Sequence, residues 1–356
     1  MRVLVTGACG FVGSQILRHL RAVTNRWTLL GMDNFSRPGS ERNRLLMDDL
    51  GVKFTHGDVR NAAHFDKLPK VDWVIDAAAI PSVLAGIDGR VTSRDLVETN
   101  LQGTVNMLEY CREHAAGFIL LSTSRVYSIS QLTKVLVQVE DGGFVLDTSL
   151  PLGPGLSRAG VSEQFCGKPP LSLYGVSKKA SEDVALEYAA SFNFPVWINR
   201  CGVMAGAGQF GRADQGIVAY WIHSWRERRP LKYLGFGGTG HQVRDLLHPQ
   251  DLTDLLLKQM TVRDGIHPKV GNVSGGMESA FSLAGLTQWC GQRFGYPHPV
   301  EHNGVDRPFD IPWLILDDRQ TRRVWEWQPK ISREMIFEEI AAFAEREPEW
   351  LAVSRA

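Results

Sequence analysis

The chain has 356 residues, 44% of them hydrophobic and 22% charged, which suits one large α/β domain with a smaller companion. Lys plus Arg and Asp plus Glu both number 39, and this zero net charge argues against a nucleic-acid binder. The five cysteines are widely spaced without a C-x-x-C pair, so neither a disulfide framework nor a metal site is indicated. The chain opens directly on an apolar strand and has no run of about 18 apolar residues, so we expect a cytoplasmic protein without a membrane partner.

Short apolar runs alternate with helical patterns over the first 125 residues, which predicts a doubly wound parallel Rossmann sheet. The predicted strands are 3–6, 28–32, 52–56, 73–77, 118–122 and 196–199, and the predicted helices are 11–23, 95–114 and 172–192. We expect an NAD-binding domain over residues 1–203, with one strand returning near 268–275. Residues 204–267 and 276–356 are predicted to form a smaller C-terminal α/β substrate lobe.

Residues 128–170 interrupt this alternation and are rich in Gly, Pro and Ser. A β-hairpin is predicted around residues 135–146, with Gly142 and Gly143 at its turn. A connection of this length is usually functional or disordered.

The first strand runs into a glycine-rich turn, Thr6 to Gly13, before the first helix. Gly7 permits the tight turn, Gly10 lets the backbone approach a pyrophosphate, and Gly13 allows close packing of the helix on the strand. The helix N-terminus adds free N–H groups that favour phosphates. Cofactor contacts are also predicted in this turn for Cys9, Phe11 and Val12.

An acidic residue, Asp33, ends the second strand twenty residues after Gly13. A carboxylate there binds both ribose hydroxyls and repels a 2′-phosphate, so NAD is favoured over NADP, although Arg37 lies close enough to soften that preference. Asp58 after the third strand is expected to meet the adenine amine. The further predicted cofactor contacts are Asn34, Val59, Ala77, Ala78, Ala79 and Asn100.

The predicted catalytic residues are Thr123, Tyr174 and Lys178. Tyr174 and Lys178 are four residues apart on a predicted helix and share one face. Oxidation of an alcohol requires a base for the hydroxyl proton, and the free phenol, with a pKa near 10, is too weakly ionised at pH 7. We expect the Lys178 ammonium and a nicotinamide cation to lower the pKa of Tyr174. Lys178 is also expected to hold the nicotinamide ribose, and Thr123 to orient the substrate hydroxyl.

Together these motifs resemble the extended short-chain dehydrogenase/reductase superfamily, especially its nucleotide-sugar epimerases. The resemblance covers nearly the whole chain, since the glycine turn, Asp33, the Asn100–Thr104 segment and the Tyr174/Lys178 pair follow in the expected order. It implies a tightly held NAD, a Rossmann domain with a C-terminal substrate lobe, and a homodimer or homotetramer.

Segments of the second half resemble the CDP-paratose 2-epimerase branch (also called CDP-tyvelose epimerase). These segments are Gln209-Phe210, Asp214-Gln215-Gly216 and residues 240–248, which include Q-V-R-D. The resemblance implies that Arg244 and Arg307 face the diphosphate, for which the planar guanidinium is suited. Further predicted substrate contacts are Ser124, Arg125, Arg200, Gln209, Phe210 and Gln215.

Four positions depart from the superfamily pattern. Ser124 and Arg125 stand where sugar 4,6-dehydratases usually have Asp and Glu, which argues against a dehydratase. Asp76 stands where histidine is common, and Val203 cannot make the side-chain hydrogen bond of a polar residue.

The sequence therefore predicts a nucleotide-sugar epimerase that oxidises C2 of a hexose and returns the hydride to the other face, with CDP favoured over UDP. A UDP-hexose 4-epimerase would use the same glycine turn and catalytic residues. A non-catalytic protein that senses the redox state of NAD is an alternative of another class, although such proteins often lack the tyrosine or the lysine.

Overall fold

The structure is a computed structural model that describes residues 1–263 and 267–354. The predicted substrate lobe includes residues 264–266 and 355–356, which lie outside the described residues. Within the described part, no helix is both long and apolar enough to cross a lipid bilayer.

Strands and helices are numbered in chain order. The strands are β1 Arg2–Thr6, β2 Thr28–Asp33, β3 Lys53–His56, β4 Trp73–Asp76, β5 Gly117–Thr123, β6 Val137–Glu140, β7 Gly143–Leu146, β8 Leu156–Ser157, β9 Gly160–Val161, β10 Val196–Cys201, β11 Val203–Met204, β12 Leu231–Leu234, β13 Val243–Leu247, β14 Val270–Val273, β15 Ala280–Ser282, β16 Val300–Asn303 and β17 Trp313–Leu314. The helices are α1 Phe11–Val23, α2 Asn43–Asp49, α3 Ser93–Val97, α4 Gly103–His114, α5 Ile129–Leu132, α6 Ser172–Phe192, α7 Ile217–Arg226, α8 Pro249–Gln259, α9 Leu283–Phe294, α10 Arg319–Trp325, α11 Arg333–Arg346 and α12 Trp350–Val353.

Seven parallel strands form the main sheet in the order β14-β10-β5-β4-β1-β2-β3. The strands are apolar because helices cover both faces: α1 and α8 contribute to one buried core, and α4 and α6 to the other. The predicted doubly wound Rossmann sheet is therefore confirmed. The strand order reverses between β1 and β4, and ligands of such sheets bind in the crevice at that switch point.

A second, smaller sheet lies in the C-terminal half and contains β11, β13, β15 and β17. Strands β12 and β16 form a separate parallel pair beside it. This mixed α/β arrangement agrees with the predicted C-terminal lobe, whose boundary at residue 203 stays a prediction.

The predicted hairpin in the 128–170 segment is confirmed as β6 and β7, but its turn lies one residue earlier than expected. Asp141 and Gly142 occupy the turn, and both have positive φ, which is typical of the two-residue turns that match the twist of a hairpin. The hairpin packs on the second sheet: the Phe144 N–H donates to the His241 carbonyl at 2.8 Å, and the Ser282 hydroxyl donates to the Gly142 carbonyl at 2.8 Å. The 128–170 segment thus extends the wall around the second sheet.

Candidate active site

A continuous cavity of about 570 Å³ opens at the carboxyl ends of β1 and β4 and reaches the second sheet. The glycine turn and Asp33 line one part of it, Thr123 and Tyr174 line the next, and Arg244 lines the part formed by the second sheet. Side chains from both halves of the chain therefore share one cavity, as a bound ligand of two chemical parts would require.

The glycine turn needs glycine at two positions for steric reasons. Gly7 has a φ of 63°, in the left-handed region that favours glycine. A Cβ on Gly13 would lie 2.1 Å from the carbonyl oxygen of Gly7, so α1 could not pack this closely with a larger residue. Phe11 and Val12 line the cavity beside them, whereas Cys9 is turned into the core and offers its backbone to Asp33.

Asp33 connects the glycine turn to β2. Its carboxylate accepts the N–H groups of Cys9 at 2.9 Å and Phe35 at 2.7 Å, and it lines the cavity. Burial raises the pKa of Asp33 although these bonds favour the charged form. The backbone N–H groups of Gly10 and Asn34 also favour its charged form, and the carboxylate faces the cavity where ribose hydroxyls can donate to it. Arg37 donates to the Phe210 carbonyl, which engages the guanidinium that would soften the preference for NAD.

Asp58 is not among the residues that line the cavity, and its contact with adenine stays a prediction. Its carboxylate accepts hydrogen bonds from Arg60, the nearest at 2.7 Å, and from Asn34 at 3.0 Å. The bond from Arg60 lowers the pKa of Asp58 to about 2. Asn34 and the neighbouring Val59 do line the cavity.

Asn100 is buried behind the cavity wall and does not line it. Its amide exchanges two hydrogen bonds with the Ile80 backbone, at 2.8 Å and 3.2 Å, and donates to the Ser177 hydroxyl at 3.1 Å. Asn100 therefore holds the segment that follows β4 against α6. The predicted contacts Ala77, Ala78 and Ala79 belong to that segment, and all three line the cavity.

Thr123 at the end of β5 and Tyr174 in the first turn of α6 meet inside the cavity. Their hydroxyls are hydrogen-bonded, and each residue is 8% exposed. Burial raises the pKa of Tyr174 to about 12, while the bond to Thr123 and the charge of Arg125 act in the opposite direction. Lys178, which was predicted to lower this pKa, is not among the groups that act on Tyr174, and burial prevails in the protein alone because phenolate is poorly solvated there.

Lys178 lies one helical turn further along α6 and is 1% exposed. Its ammonium has no hydrogen-bond partner among the residues that the structure describes. A buried ammonium carries three donors and is costly without acceptors. Lys178 is not itself among the residues that line the cavity, but ribose hydroxyls that reach its ammonium would supply those acceptors, so Lys178, Asp33 and the glycine turn fit a dinucleotide.

Three arginines gather where the catalytic residues meet the second sheet. Burial and the charges of Arg244 and Arg307 lower the pKa of Arg125 to about 9, while Asp310 opposes this. Arg244 is fixed by two backbone carbonyls at 2.7 Å and 2.9 Å and by Asp310 at 3.4 Å. Asp310 acts on Arg125 and Arg244, and Asp245 also acts on Arg244, so the three guanidiniums outnumber these carboxylates and their surplus positive charge suits an anion. Ser124 lines the cavity beside it.

Arg200 is not among the residues that line the cavity, which gives its predicted contact with substrate no support. The guanidinium forms a buried ion pair with Glu182, with contacts of 2.6 Å and 3.0 Å. It also donates to the Tyr127 hydroxyl at 3.3 Å. Arg200 therefore joins β10 to α6 inside the protein.

Residues 208–216 cross the cavity and include three predicted substrate contacts, Gln209, Phe210 and Gln215. The ring of Phe210 stacks on Trp350 at 5.3 Å. The Gln209 amide donates to the Met204 carbonyl at 2.8 Å, and the side-chain oxygens of Gln209 and Gln215 are buried without a partner in the described chain. Both oxygens can therefore accept hydrogen bonds from a ligand.

Sequence reasoning missed three residues that line the cavity. Asp214 accepts from Ser82 at 2.9 Å and from Arg90 at 3.1 Å, which ties residues 208–216 to the segment after β4. Gln242 and Asp310 contact each other at 3.1 Å. The D-Q-G and Q-V-R-D segments contained a signal for Asp214 and Gln242, whereas no motif pointed to Asp310.

Comparisons with known proteins agree with this arrangement. The model of the NAD dependent epimerase/dehydratase family matches residues 3–274. The chain is 27% identical to CDP-paratose 2-epimerase of Salmonella typhi over 352 residues, which cover 93% of this chain and 96% of that protein. It is 30% identical to dTDP-glucose 4,6-dehydratase of Streptomyces antibioticus, with 70% of this chain and 66% of that protein covered.

Two solved structures share the fold. UDP-glucuronic acid 4-epimerase from Bacillus cereus, in complex with UDP-glucuronic acid and NAD, has a TM-score of 0.77 at 24% identity, covering 97% of this chain and 99% of that one. UDP-glucose 4-epimerase from Thermotoga maritima has a TM-score of 0.76 at 21% identity, with the same coverage. The matched family confirms the predicted superfamily and NAD as the cofactor: the chain belongs to the NAD dependent epimerase/dehydratase family.

Proposed function

We propose that this chain is an NAD-dependent epimerase that inverts C2 of a CDP-activated hexose resembling paratose or tyvelose. The observation that carries this proposal is the position of Arg125, which lines the cavity with Tyr174, Arg244 and Arg307. The charges of Arg244 and Arg307 act on Arg125, and the charge of Arg125 acts on Tyr174. In a nucleotide sugar, C2 is bonded to C1, which bears the diphosphate, whereas C4 lies across the ring. Because Arg125 links Tyr174 electrostatically to the arginines expected to bind the diphosphate, the arrangement supports oxidation at C2.

Gln242 supports cytosine as the base. Its amide N–H₂ donates to the Leu234 carbonyl at 2.7 Å and to Asp310 at 3.1 Å, and because both neighbours are acceptors the amide orientation is fixed. The Gln242 oxygen is left buried without a partner among the described residues. The exocyclic amine of cytosine can donate to that oxygen, whereas the corresponding carbonyl of uracil cannot.

The catalytic residues then act on the C2 hydroxyl. Thr123 orients this hydroxyl, and Tyr174 accepts its proton. NAD supplies reversible two-electron chemistry, because it accepts a hydride from the sugar carbon and gives it back. After the planar ketone has turned over within the cavity, Tyr174 returns the proton. Lys178 is expected to hold the nicotinamide ribose throughout.

Residues 208–216 form a bridge over the cavity, and the contacts of this bridge support a retained cofactor. Asp214 joins residues 208–216 to Ser82 and Arg90, and Arg37 joins β2 to the same segment through Phe210. NAD is regenerated in each turnover, so release is unnecessary. An epimerase therefore gains from a closed site, whereas a dehydrogenase must exchange its cofactor.

The test is to denature the purified protein, identify the released small molecules by mass spectrometry, and follow the conversion of CDP-paratose by NMR. We expect stoichiometric NAD and formation of CDP-tyvelose, with a deuterium label at C2 retained in the product. CDP should also compete better than UDP for binding. Tyr174→Phe is the matched control and should keep NAD while losing turnover.

Other outcomes would contradict the proposal in distinct ways. Interconversion of UDP-glucose and UDP-galactose would identify a 4-epimerase. Loss of the C2 deuterium to solvent would exclude hydride return. Retained NAD without any isomerisation, unchanged in Tyr174→Phe, would favour an NAD-sensing protein.

The predicted homodimer or homotetramer has one supporting feature. Val97 on α3 and Leu173 and Val176 on α6 are apolar and 42%, 39% and 42% exposed. The two helices contact each other, so these side chains can contribute to one apolar surface. Light scattering of the purified protein will give its mass, and a monomer would refute this prediction.

A further inference from the structure

Asp76 ends β4, directly before the alanines that line the cavity, at the position where the sequence departs from the common histidine. It is 1% exposed. Its carboxylate accepts the hydroxyls of Thr104 on α4 at 2.9 Å and of Thr6 on β1 at 3.4 Å. These bonds orient Asp76, but they do not neutralise its charge. The Thr104 hydroxyl also contacts the Asn100 carbonyl at 2.9 Å, and Ser181 donates to the same carbonyl at 2.8 Å, so Asp76 is tied to the turn of α6 that holds Lys178.

The charged groups that act on Lys178 are the carboxylates of Asp76 and Glu182, together with the Cys201 thiol. Glu182 already has a counter-ion, because Arg200 contacts it at 2.6 Å and 3.0 Å and Ser122 donates to it at 2.5 Å. Cys201 is a buried thiol whose pKa is raised to about 12 by burial, so it stays neutral. The negative charge left for Lys178 is therefore that of Asp76.

We propose that Asp76 is the buried counter-ion of Lys178, a positioning residue that keeps the ammonium charged and free to donate into the cavity. Because Lys178 is 1% exposed, the charged ammonium has little solvation without a nearby carboxylate. Because Asp76 acts through its charge and not through a direct hydrogen bond, the three donors of Lys178 stay available. The value of those donors for the cofactor rests on the proposed function, whereas the charge pair does not.

Burial has the larger effect on the pKa of both groups, and the attraction between Asp76 and Lys178 opposes it in each. Burial lowers the pKa of Lys178 and Asp76 raises it, while burial raises the pKa of Asp76 and Lys178 lowers it. Cys111 also faces Asp76, but burial keeps its thiol neutral by raising its pKa. Removing the Asp76 charge should therefore make Lys178 lose its proton at a lower pH. The alkaline limb of the pH–rate profile should then move to lower pH.

The experiment is a thermal cycle on the full chain, measured as purified and with saturating NAD. Asp76→Asn should lower the melting temperature of the wild type, and it should raise that of Lys178→Met by about 2 to 4 °C, because the lone buried carboxylate is then removed. Glu182→Gln in the Lys178→Met background is the matched control and should give no such recovery, since Arg200 pairs with Glu182. The proposal would be overturned if Asp76→Asn lowered the melting temperature of the wild type and of Lys178→Met by the same amount.

Cofactor binding gives a second readout. We expect Asp76→Asn, stripped of cofactor, to bind NAD about tenfold more weakly at alkaline pH and within about twofold of the wild type near pH 6. Thr104→Val removes a hydrogen bond to Asp76 but keeps its charge, so its binding should not depend on pH in this way. A pH-independent loss in Asp76→Asn would also overturn the proposal. A protein that binds no NAD would refute the proposed function and leave the thermal cycle decisive for the charge pair.

Discussion

Replacement of Arg200 by methionine tests whether a buried arginine near the active site supports the fold or binds substrate. The change leaves Glu182, which is 1% exposed, without its ion-pair partner, while methionine fills much of the same volume. Breaking a buried ion pair typically costs about 3–5 kcal/mol, because the remaining charge is desolvated. Since Lys178 also acts on Glu182, it can share that charge, and we expect a loss of about 3 kcal/mol, near the lower end of that range.

The assay is urea denaturation of Arg200→Met beside Arg293→Met, with CDP affinity measured for both folded variants. Arg293 pairs with Glu338 and Glu345 at 2.7 Å and 3.1 Å, but on the surface, so its loss should cost less than about 1 kcal/mol. CDP affinity should stay within about twofold of the wild type in both variants. If Arg200→Met were as stable as the control and bound CDP poorly, Arg200 would be a substrate contact and the structural interpretation would be refuted.

Further predictions concern the glycine turn, a buried histidine and the bridge over the cavity. Gly13→Ala should lose the co-purifying NAD and lower the free energy of unfolding by about 1–3 kcal/mol, because the new Cβ would lie 2.1 Å from a backbone oxygen. Gly153→Ala is the control: open space surrounds Gly153, so neither quantity should change. Burial and a nearby arginine lower the pKa of His223 from 6.5 to about 4; the unfolded chain therefore takes up a proton first, and stability should fall by up to about 3 kcal/mol between pH 6.5 and 4. Melting curves of His223→Gln should show a flatter fall over that range, and an identical slope would exclude His223. Asp214→Asn should release NAD faster in a dilution assay, since its contacts with Ser82 and Arg90 are weakened, and an unchanged release rate would show that the bridge does not retain the cofactor.

The first half of the fold was predictable because its signals are local. The apolar strands and the glycine turn depend on neighbouring residues in sequence, and the seven-stranded sheet agrees with them. The hairpin turn was predicted one residue late, because Asp141 adopts positive φ as readily as a glycine would in such a turn. The Thr123–Tyr174 contact was also predictable, since each residue follows a recognisable strand or helix pattern.

Individual polar contacts were less predictable, because they depend on partners from distant elements. Asp58 faces Arg60, and Asn100 holds the Ile80 backbone, so neither lines the cavity. Their residue types suited a cofactor contact equally well in sequence. Packing decides which polar group faces a ligand and which is used by the protein itself.

The arginines show what decides between the two roles. Arg200 and Glu182 are 18 residues apart on different elements, and their pairing consumes both charges before a ligand arrives. Arg125 and Arg244 are opposed by Asp310, and Arg244 also by Asp245, so part of the charge of these arginines and of Arg307 remains for an anion. The same reasoning distinguishes the two carboxylates that act on Lys178: Glu182 is already paired with Arg200, whereas the charge of Asp76 has no such partner among the described residues. In this protein, the charge left after internal pairing therefore distinguishes ligand-facing groups from structural ones, and sequence patterns of charged residues alone do not contain that information.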